Sequence, residues 1–328
     1  MVQLTKSKIQ MLFIIISFLF ATSFSHASTS DTTKVGVFIT SIYDLDYINN
    51  SFSVEYWLWR LNTKREFKEY HLFEATNSKE NELLFTSTTW PDQIDNQLVN
   101  KGDTLFWDYE SFRSIVKHDY DITKYPFDEE VLTIEFEGST YYDDWVKLQI
   151  DQKASGSSMP KINGWETGDM TIESINIIYP TNFGSPGDTA HHAYSGFVVK
   201  LPIKRIGTSL FFKLFSGLLV AFVIALFSLR INITEADGRF GVCVGALFAA
   251  LANMYIVNSN LPMVSKFTFM DKAHVLTIFL ILVLFITSTF SLQYFKQEQL
   301  EKSKRLDKRA AYWVISAFII GMISIWPY

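Results

Sequence analysis

The sequence predicts an all-β sandwich followed by a bundle of four transmembrane helices. Three observations predict it. Residues 28–205 run through short β-rich segments divided by turn signals, four long apolar stretches follow, and the charge divides at the same place. Of 328 residues, 19% are charged, against roughly 25% in soluble domains, while 48% are hydrophobic and 16% aromatic. The formal charge of −5 hides opposites. Residues 28–205 hold 28 acids and 16 bases (net −12), and the rest holds 6 acids and 13 bases (net +7). An acidic soluble part repels phosphate, which excludes nucleic acid as its partner. The lone Cys243 excludes an intrachain disulfide framework and a Cys-rich zinc site.

At the N-terminus, Lys6 and Lys8 precede an apolar run from Met11 to Phe20 and then Ser25-His26-Ala27. A basic region, an apolar core and a small-x-small site make residues 1–27 a signal peptide. An uncleaved anchor is the alternative, and the run is short for a span of about 20 residues.

The next region reads as strands around Val35–Ile39, Phe52–Trp59, Thr104–Trp107, Val131–Phe136, Val146–Ile150, Met170–Ile175 and Gly196–Leu201. Gly102-Asp103, Tyr125-Pro126, Asn163-Gly164 and Pro186-Gly187 mark turns between them. Many short strands at this spacing, with no long amphipathic helix, predict an antiparallel, immunoglobulin-like sandwich over 28–206.

Residues 207–328 form the membrane part. The helices are expected at about 210–229, 240–257, 275–292 and 310–326. Between the last two, residues 296–309 carry six bases (Lys296, Lys302, Lys304, Arg305, Lys308 and Arg309) against three acids. Read as a short basic linker, this segment is cytoplasmic by the positive-inside rule. Counting spans back puts residues 28–206 outside, as the signal peptide does independently. The expected location is a cell membrane, with the sandwich periplasmic or extracellular.

Tyr125-Pro126-Phe127-Asp128-Glu129-Glu130, followed by Val131-Leu132-Thr133-Ile134, resembles the aromatic-Pro-Phe-Asp signature of pentameric ligand-gated ion channels. Gly102–Trp107 has that family's spacing to this loop. Trp90-Pro91-Asp92 is similar to its Trp-x-Pro-Asp segment with one residue deleted. Gly138–Asp143, Gly164-Trp165-Glu166, Tyr194 through Arg205 and Asn260-Leu261-Pro262 resemble later segments in order. Where eukaryotic members carry two cysteines, this chain has Leu132 and, approximately, His118. It resembles the bacterial members in that absence and in its short linker. The resemblance implies a homopentamer in membrane lipid, gated by a small-molecule or ionic ligand, with no cofactor.

In the second span, Gly241, Gly245, Phe248, Ala252, Tyr255 and Ser259 recur at steps of four and three, on one helix face. In a pentamer this face lines the pore, with Phe248 as a constriction that closes by dewetting. A packing reading stands beside it, because Gly241, Gly245 and Ala249 form a small-xxx-small ladder. Asp237 is the candidate for an anionic ring at the inner mouth, selecting cations. The alternative is an acid favoured by the helix dipole. Arg239 opposes cation selection unless it points away from the axis, and Glu235 is a second ring candidate.

The resemblance also brings Pro126, Phe127 and Asp128 to the membrane surface, with Asp128 opposite Arg205 and Pro262 in the connection that meets the loop. Its ligand site lies between neighbouring sandwiches. The aromatic candidates are Tyr141, Tyr142, Phe183 and Tyr194, with Trp57 or Trp59 from the opposite face, and their ring faces suit an ammonium group. Each aromatic alone also reads as sheet packing. A modulatory divalent cation is left open, with Asp143-Asp144 as candidate ligands, and His191-His192 with Asp188 reads as a solvated loop or a metal or pH site.

No Gly-x-Ser-x-Gly elbow, His-Glu-x-x-His pair or phosphate loop occurs, so no enzyme activity is expected. A non-conducting membrane-anchored sensor with the same fold is the competing reading, kept alive by the bulky Phe248.

Overall fold

A computed structural model of the chain describes residues 31–62, 73–87, 97–100, 103–142, 146–158, 161–182, 184, 193–259, 261 and 266–327. The signal-peptide expectation lies outside these residues. So do Phe183, Pro262, Asp143-Asp144, Asp188 and His191-His192.

Among the described residues, twelve strands come first: β1 (Asp31–Asp46), β2 (Ser51–Asn62), β3 (Glu74–Ala75), β4 (Ser78–Thr86), β5 (Gln97–Asn100), β6 (Asp103–Lys117), β7 (Glu129–Tyr142), β8 (Val146–Ile150), β9 (Gly156–Ser157), β10 (Trp165–Thr167), β11 (Thr171–Ile178) and β12 (Ala193–Arg205). They form a seven-stranded sheet in the order β4-β6-β2-β1-β8, with β5 on β6 and β9 on β1. A five-stranded sheet follows in the order β10-β12-β7-β3, with β11 on β12. The expected antiparallel pairing has an exception: β8 and β9 both run parallel to β1.

Period-two alternation explains which faces meet. In β2, Phe52, Val54, Tyr56 and Leu58 are buried, and the intervening Glu55, Trp57 and Trp59 lie on the other face. In β12, Phe197, Val199, Leu201 and Ile203 face the same core. Tyr56 of one sheet meets Phe136 of the other edge-to-face at 5.3 Å, and Phe136 stacks on Phe197 at 4.8 Å. The two sheets thus share one aromatic-rich core.

Four helices follow: α1 (Gly207–Ser228), α2 (Ala236–Asn258), α3 (Phe269–Lys296) and α4 (Leu300–Ile325), each long and apolar enough to cross a membrane. They mark a membrane protein. All four begin earlier than the apolar stretches alone indicate. α3 begins at a capping box: the Thr268 hydroxyl accepts from the Asp271 amide at 3.0 Å, and the Asp271 carboxylate accepts from the Thr268 amide at 2.9 Å.

The fourth helix corrects the sequence reading most. The basic linker expected over 296–309 is helical from Leu300, leaving Gln297–Gln299 as the connection. The reason is local. No Gly or Pro interrupts the segment, and two of its non-basic residues have partners in the bundle: Ser303 bonds Ser291 at 2.7 Å and Asp307 pairs with Arg239. The bases project outward and do not hinder the helix.

The core of the sheets runs without a break into the near ends of the helices, through Phe211, Val257, Leu261, Phe269 and Met270. A second core, centred on Leu218, Phe222, Ala250, Ile281, Leu284 and Phe318, fills the bundle.

Candidate functional site

Three places carry the residues singled out by sequence: the junction of sheets and helices, the exposed face of α2, and two aromatic patches on the sheets.

At the junction, Arg205 ends β12 and Gly207 begins α1. Arg205 forks onto Asp128, with Nε to Oδ1 at 2.8 Å and NH2 to Oδ2 at 2.9 Å. The Asp128 side chain is 0% exposed and that of Arg205 13%. Tyr47, from the end of β1, donates its hydroxyl proton to Asp128 at 2.9 Å and itself accepts from Arg205. The guanidinium also lies over the rings of Trp165 (4.2 Å), Tyr47 (5.0 Å) and Tyr125 (5.2 Å). Burial opposes the charge on Arg205, but hydrogen bonding and attraction from Asp128 outweigh it and hold its pKa above the ordinary value. Burial, and then the charge of Asp128, push the Tyr47 hydroxyl well up, so it stays a donor.

The loop carrying Asp128 also carries Phe127. Its ring enters a socket made by Phe211 of α1 (5.5 Å), Phe269 of α3 (6.2 Å) and Trp326 just past α4 (5.3 Å). One side chain therefore touches three helices. Pro126, buried and joined to Tyr125 by a cis peptide, presses its carbonyl onto α1. A Cβ on Gly207 would stand 2.0 Å from that oxygen. Gly207→Ala is expected to cost about 1–3 kcal/mol by overpacking. Gly238→Ala, in open space within α2, is expected to gain up to about 1 kcal/mol. Thermal unfolding of the detergent-solubilised chain measures both.

The loop is closed at its base without a disulfide. His118 Nε2 meets Glu130 Oε2 at 3.2 Å, and Glu130 Oε1 accepts from the Asp121 amide at 2.8 Å. Tyr120 stacks on Tyr47 at 4.1 Å and donates to the Ser51 carbonyl.

On α2 the residues of the expected stripe share an exposed surface. Asp237, Gly241, Gly245, Phe248, Ala252, Tyr255 and Ser259 are all exposed, Phe248 at 66% and Tyr255 at 76%. The buried positions Arg239, Cys243, Ala246, Ala250 and Val257 form the opposing stripe. Two residues of offset turn the helix by about 200°. A Cβ at Gly241 or Gly245 would meet nothing within 4 Å, so among the described residues their ladder packs on no other helix of the same chain. Close helix contact uses other glycines: Gly217 of α1 against Asn253 and Gly321 of α4 against Leu276.

Arg239 is 0% exposed. Its NH1 and NH2 donate to Asp307 at 2.9 and 2.6 Å, and its Nε to Ser288 at 3.0 Å. The base two residues from Asp237 is therefore turned into the bundle.

The aromatic candidates divide between the sheets. Trp57 and Trp59 lie on the outer face of the seven-stranded sheet. Trp57 contacts Phe85 (5.8 Å) and Tyr109 (6.1 Å), and Tyr109 stacks on Trp107 (4.5 Å). Trp59 covers Gly36, where a Cβ would collide with the indole at 2.2 Å. Tyr194 pairs with Tyr142 in register on the five-stranded sheet, and its ring meets Tyr179 edge-on at 5.7 Å. The Tyr141 and Tyr142 side chains lie outside the description. Tyr179 donates to Glu137 at 2.5 Å, which pushes the phenol up to about 12, while burial raises the Glu137 carboxyl.

Sequence reading missed Tyr47, Trp165, Phe211, Phe269 and Trp326 at the junction, and Glu137 and Tyr179 beside Tyr194. The chain matches no protein-family model and no curated protein.

Proposed function

We propose that the chain is one subunit of a ligand-gated cation channel, five copies of which surround a pore lined by α2. In this reading the two sheets form an immunoglobulin-like sandwich outside the membrane, and a ligand binds where the sandwiches of neighbouring subunits meet. The observation that carries it is the two-sidedness of α2. One stripe, from Asp237 to Ser259, is exposed and has no cover among the described residues, and the opposite stripe anchors the helix through Arg239. An apolar helix that spans a membrane needs no polar, glycine-lined face toward lipid, whereas a face around water does. Turning Arg239 into the bundle leaves Asp237 as the charge at that mouth, and a ring of five carboxylates attracts cations.

The junction supplies the coupling. Ligand-driven movement of β7 and β12 reaches α1 through Arg205 and reaches α1, α3 and α4 through Phe127, so one element biases two states of the bundle. On the ligand side, the tyrosines around Glu137 and the rings around Trp57 lie on different sheets. In this reading the two clusters meet across the contact between neighbouring subunits, where their ring faces suit a cationic ligand.

The test is recording from the purified chain in planar bilayers, with cations and anions at unequal concentrations. Asp237→Asn is expected to shift the reversal potential toward that of anions, and Phe248→Ala to raise current without ligand. Reversal unchanged in Asp237→Asn removes Asp237 from the selectivity role and leaves the exposed Glu235 as the remaining ring candidate. Absence of conductance in the native chain and in Phe248→Ala under a wide ligand screen leaves the non-conducting sensor as the better reading.

A further inference from the structure

The basic half of α4 has no role in the channel argument, and its geometry points to a ligand. We propose that Arg305, Lys308 and Arg309 bind the headgroup phosphate of an anionic phospholipid at the far end of the bundle.

Length gives the first step. α4 holds 26 residues, about 39 Å of helix, yet its uncharged part begins only at Ala310. From there to Ile325 is about 24 Å, shorter than a hydrocarbon core of about 30 Å. The last bases before Ala310 are therefore drawn to the edge of the hydrocarbon, at the depth of lipid phosphate. Tyr312 and Trp313 follow at 64% and 76% exposure, side chains suited to the same boundary.

The helix face gives the second. Ser303, Asp307, Val314 and Phe318 turn toward the bundle, with Ser303 on Ser291 and Asp307 on Arg239. At 100° per residue, Arg305, Lys308, Arg309 and Tyr312 centre on the opposite side. All are exposed. The nearest acid of α4, Asp307, is already paired with Arg239, so its charge does not offset these bases. Glu301 lies one turn further from the membrane, and no ion pair joins it to Arg305, Lys308 or Arg309 among the described residues. Three cations on adjacent turns suit a phosphodiester with net negative charge better than a zwitterion. Two of them are arginines, whose planar fork matches two phosphate oxygens.

This inference rests on α4 crossing a membrane and is independent of conduction. The full chain is reconstituted with spin-labelled phosphatidylglycerol or spin-labelled phosphatidylcholine, and the motionally restricted fraction of each gives relative association. The native chain is expected to prefer phosphatidylglycerol. The triple variant Arg305→Gln, Lys308→Gln, Arg309→Gln is expected to lose most of that preference. A triple variant with the same total charge, Lys117→Gln, Lys153→Gln, Lys161→Gln, is expected to keep it. Equal restriction of the two lipids by the native chain overturns the proposal without any variant. So does an equal loss in both triple variants, or abolition of the preference by inorganic phosphate, which would mean a site for a free anion.

Discussion

Replacing Asp128 with Ala is expected to cost about 3–5 kcal/mol, because it leaves a buried guanidinium with no anion. Arg205 is held by two hydrogen bonds to Asp128, and its carbon sits among Trp165, Tyr47 and Tyr125, where water reaches it poorly. An arginine stays protonated in proteins, so it cannot escape the penalty by losing its proton. The rings contribute attraction, but a cation–π contact is worth about 0.5–2 kcal/mol and does not replace a fork. Thermal unfolding in detergent, followed by tryptophan emission, reads the loss directly, since Trp165 lies against the arginine. Arg205→Lys keeps the charge but not the fork and is expected to lose less. The exposed neighbouring pair, Glu129 with Lys204 at 2.6 Å, supplies the contrast: Glu129→Ala is expected to leave the unfolding midpoint close to that of the native chain. Equal effects at the two acids would mean that Asp128 is solvated and that the junction is not tied by charge.

The physical origin of each feature decides how far the sequence revealed it. Strands β1, β2, β6, β7, β8, β11 and β12 were legible because alternation is local, as were the four apolar helices. The Asp128–Arg205 contact was expected from the resemblance, and the geometry places those two side chains in contact. The socket around Phe127 was not legible. Its walls come from residues 211, 269 and 326, and no local pattern marks an aromatic residue at a helix end as a partner for a distant loop. The same holds for Tyr47, which lies 81 residues from Asp128. The start of α4 was misplaced for another reason. Hydropathy marks where a helix enters lipid, and this helix begins ten residues earlier, held by Ser303 and Asp307 rather than by apolar side chains.

Asp307→Ala is expected to destabilise the bundle by a similar amount, about 3–5 kcal/mol, for the same reason in a drier place. Arg239 is 0% exposed and the Asp307 side chain 15%, so the charge stranded by the substitution is the more buried of the two. Ser288 offers Arg239 a hydrogen bond at 3.0 Å but no charge. A stranded guanidinium has two outcomes. It stays buried and the bundle loses stability, or it swings out along α2 toward Asp237, two residues away. The second outcome brings a base to the mouth that the proposed ring makes acidic. Thermal unfolding separates the cases when read beside reversal potentials: the first lowers the midpoint with selectivity intact, and the second shifts selectivity toward anions at a smaller loss of stability. Removing both charges, Arg239→Gln with Asp307→Asn, is expected to recover more than half of the loss, since a buried pair replaced as a unit leaves nothing uncompensated. A double variant as unstable as Asp307→Ala alone would mean that the pair holds α2 to α4 by its geometry, with the charge incidental.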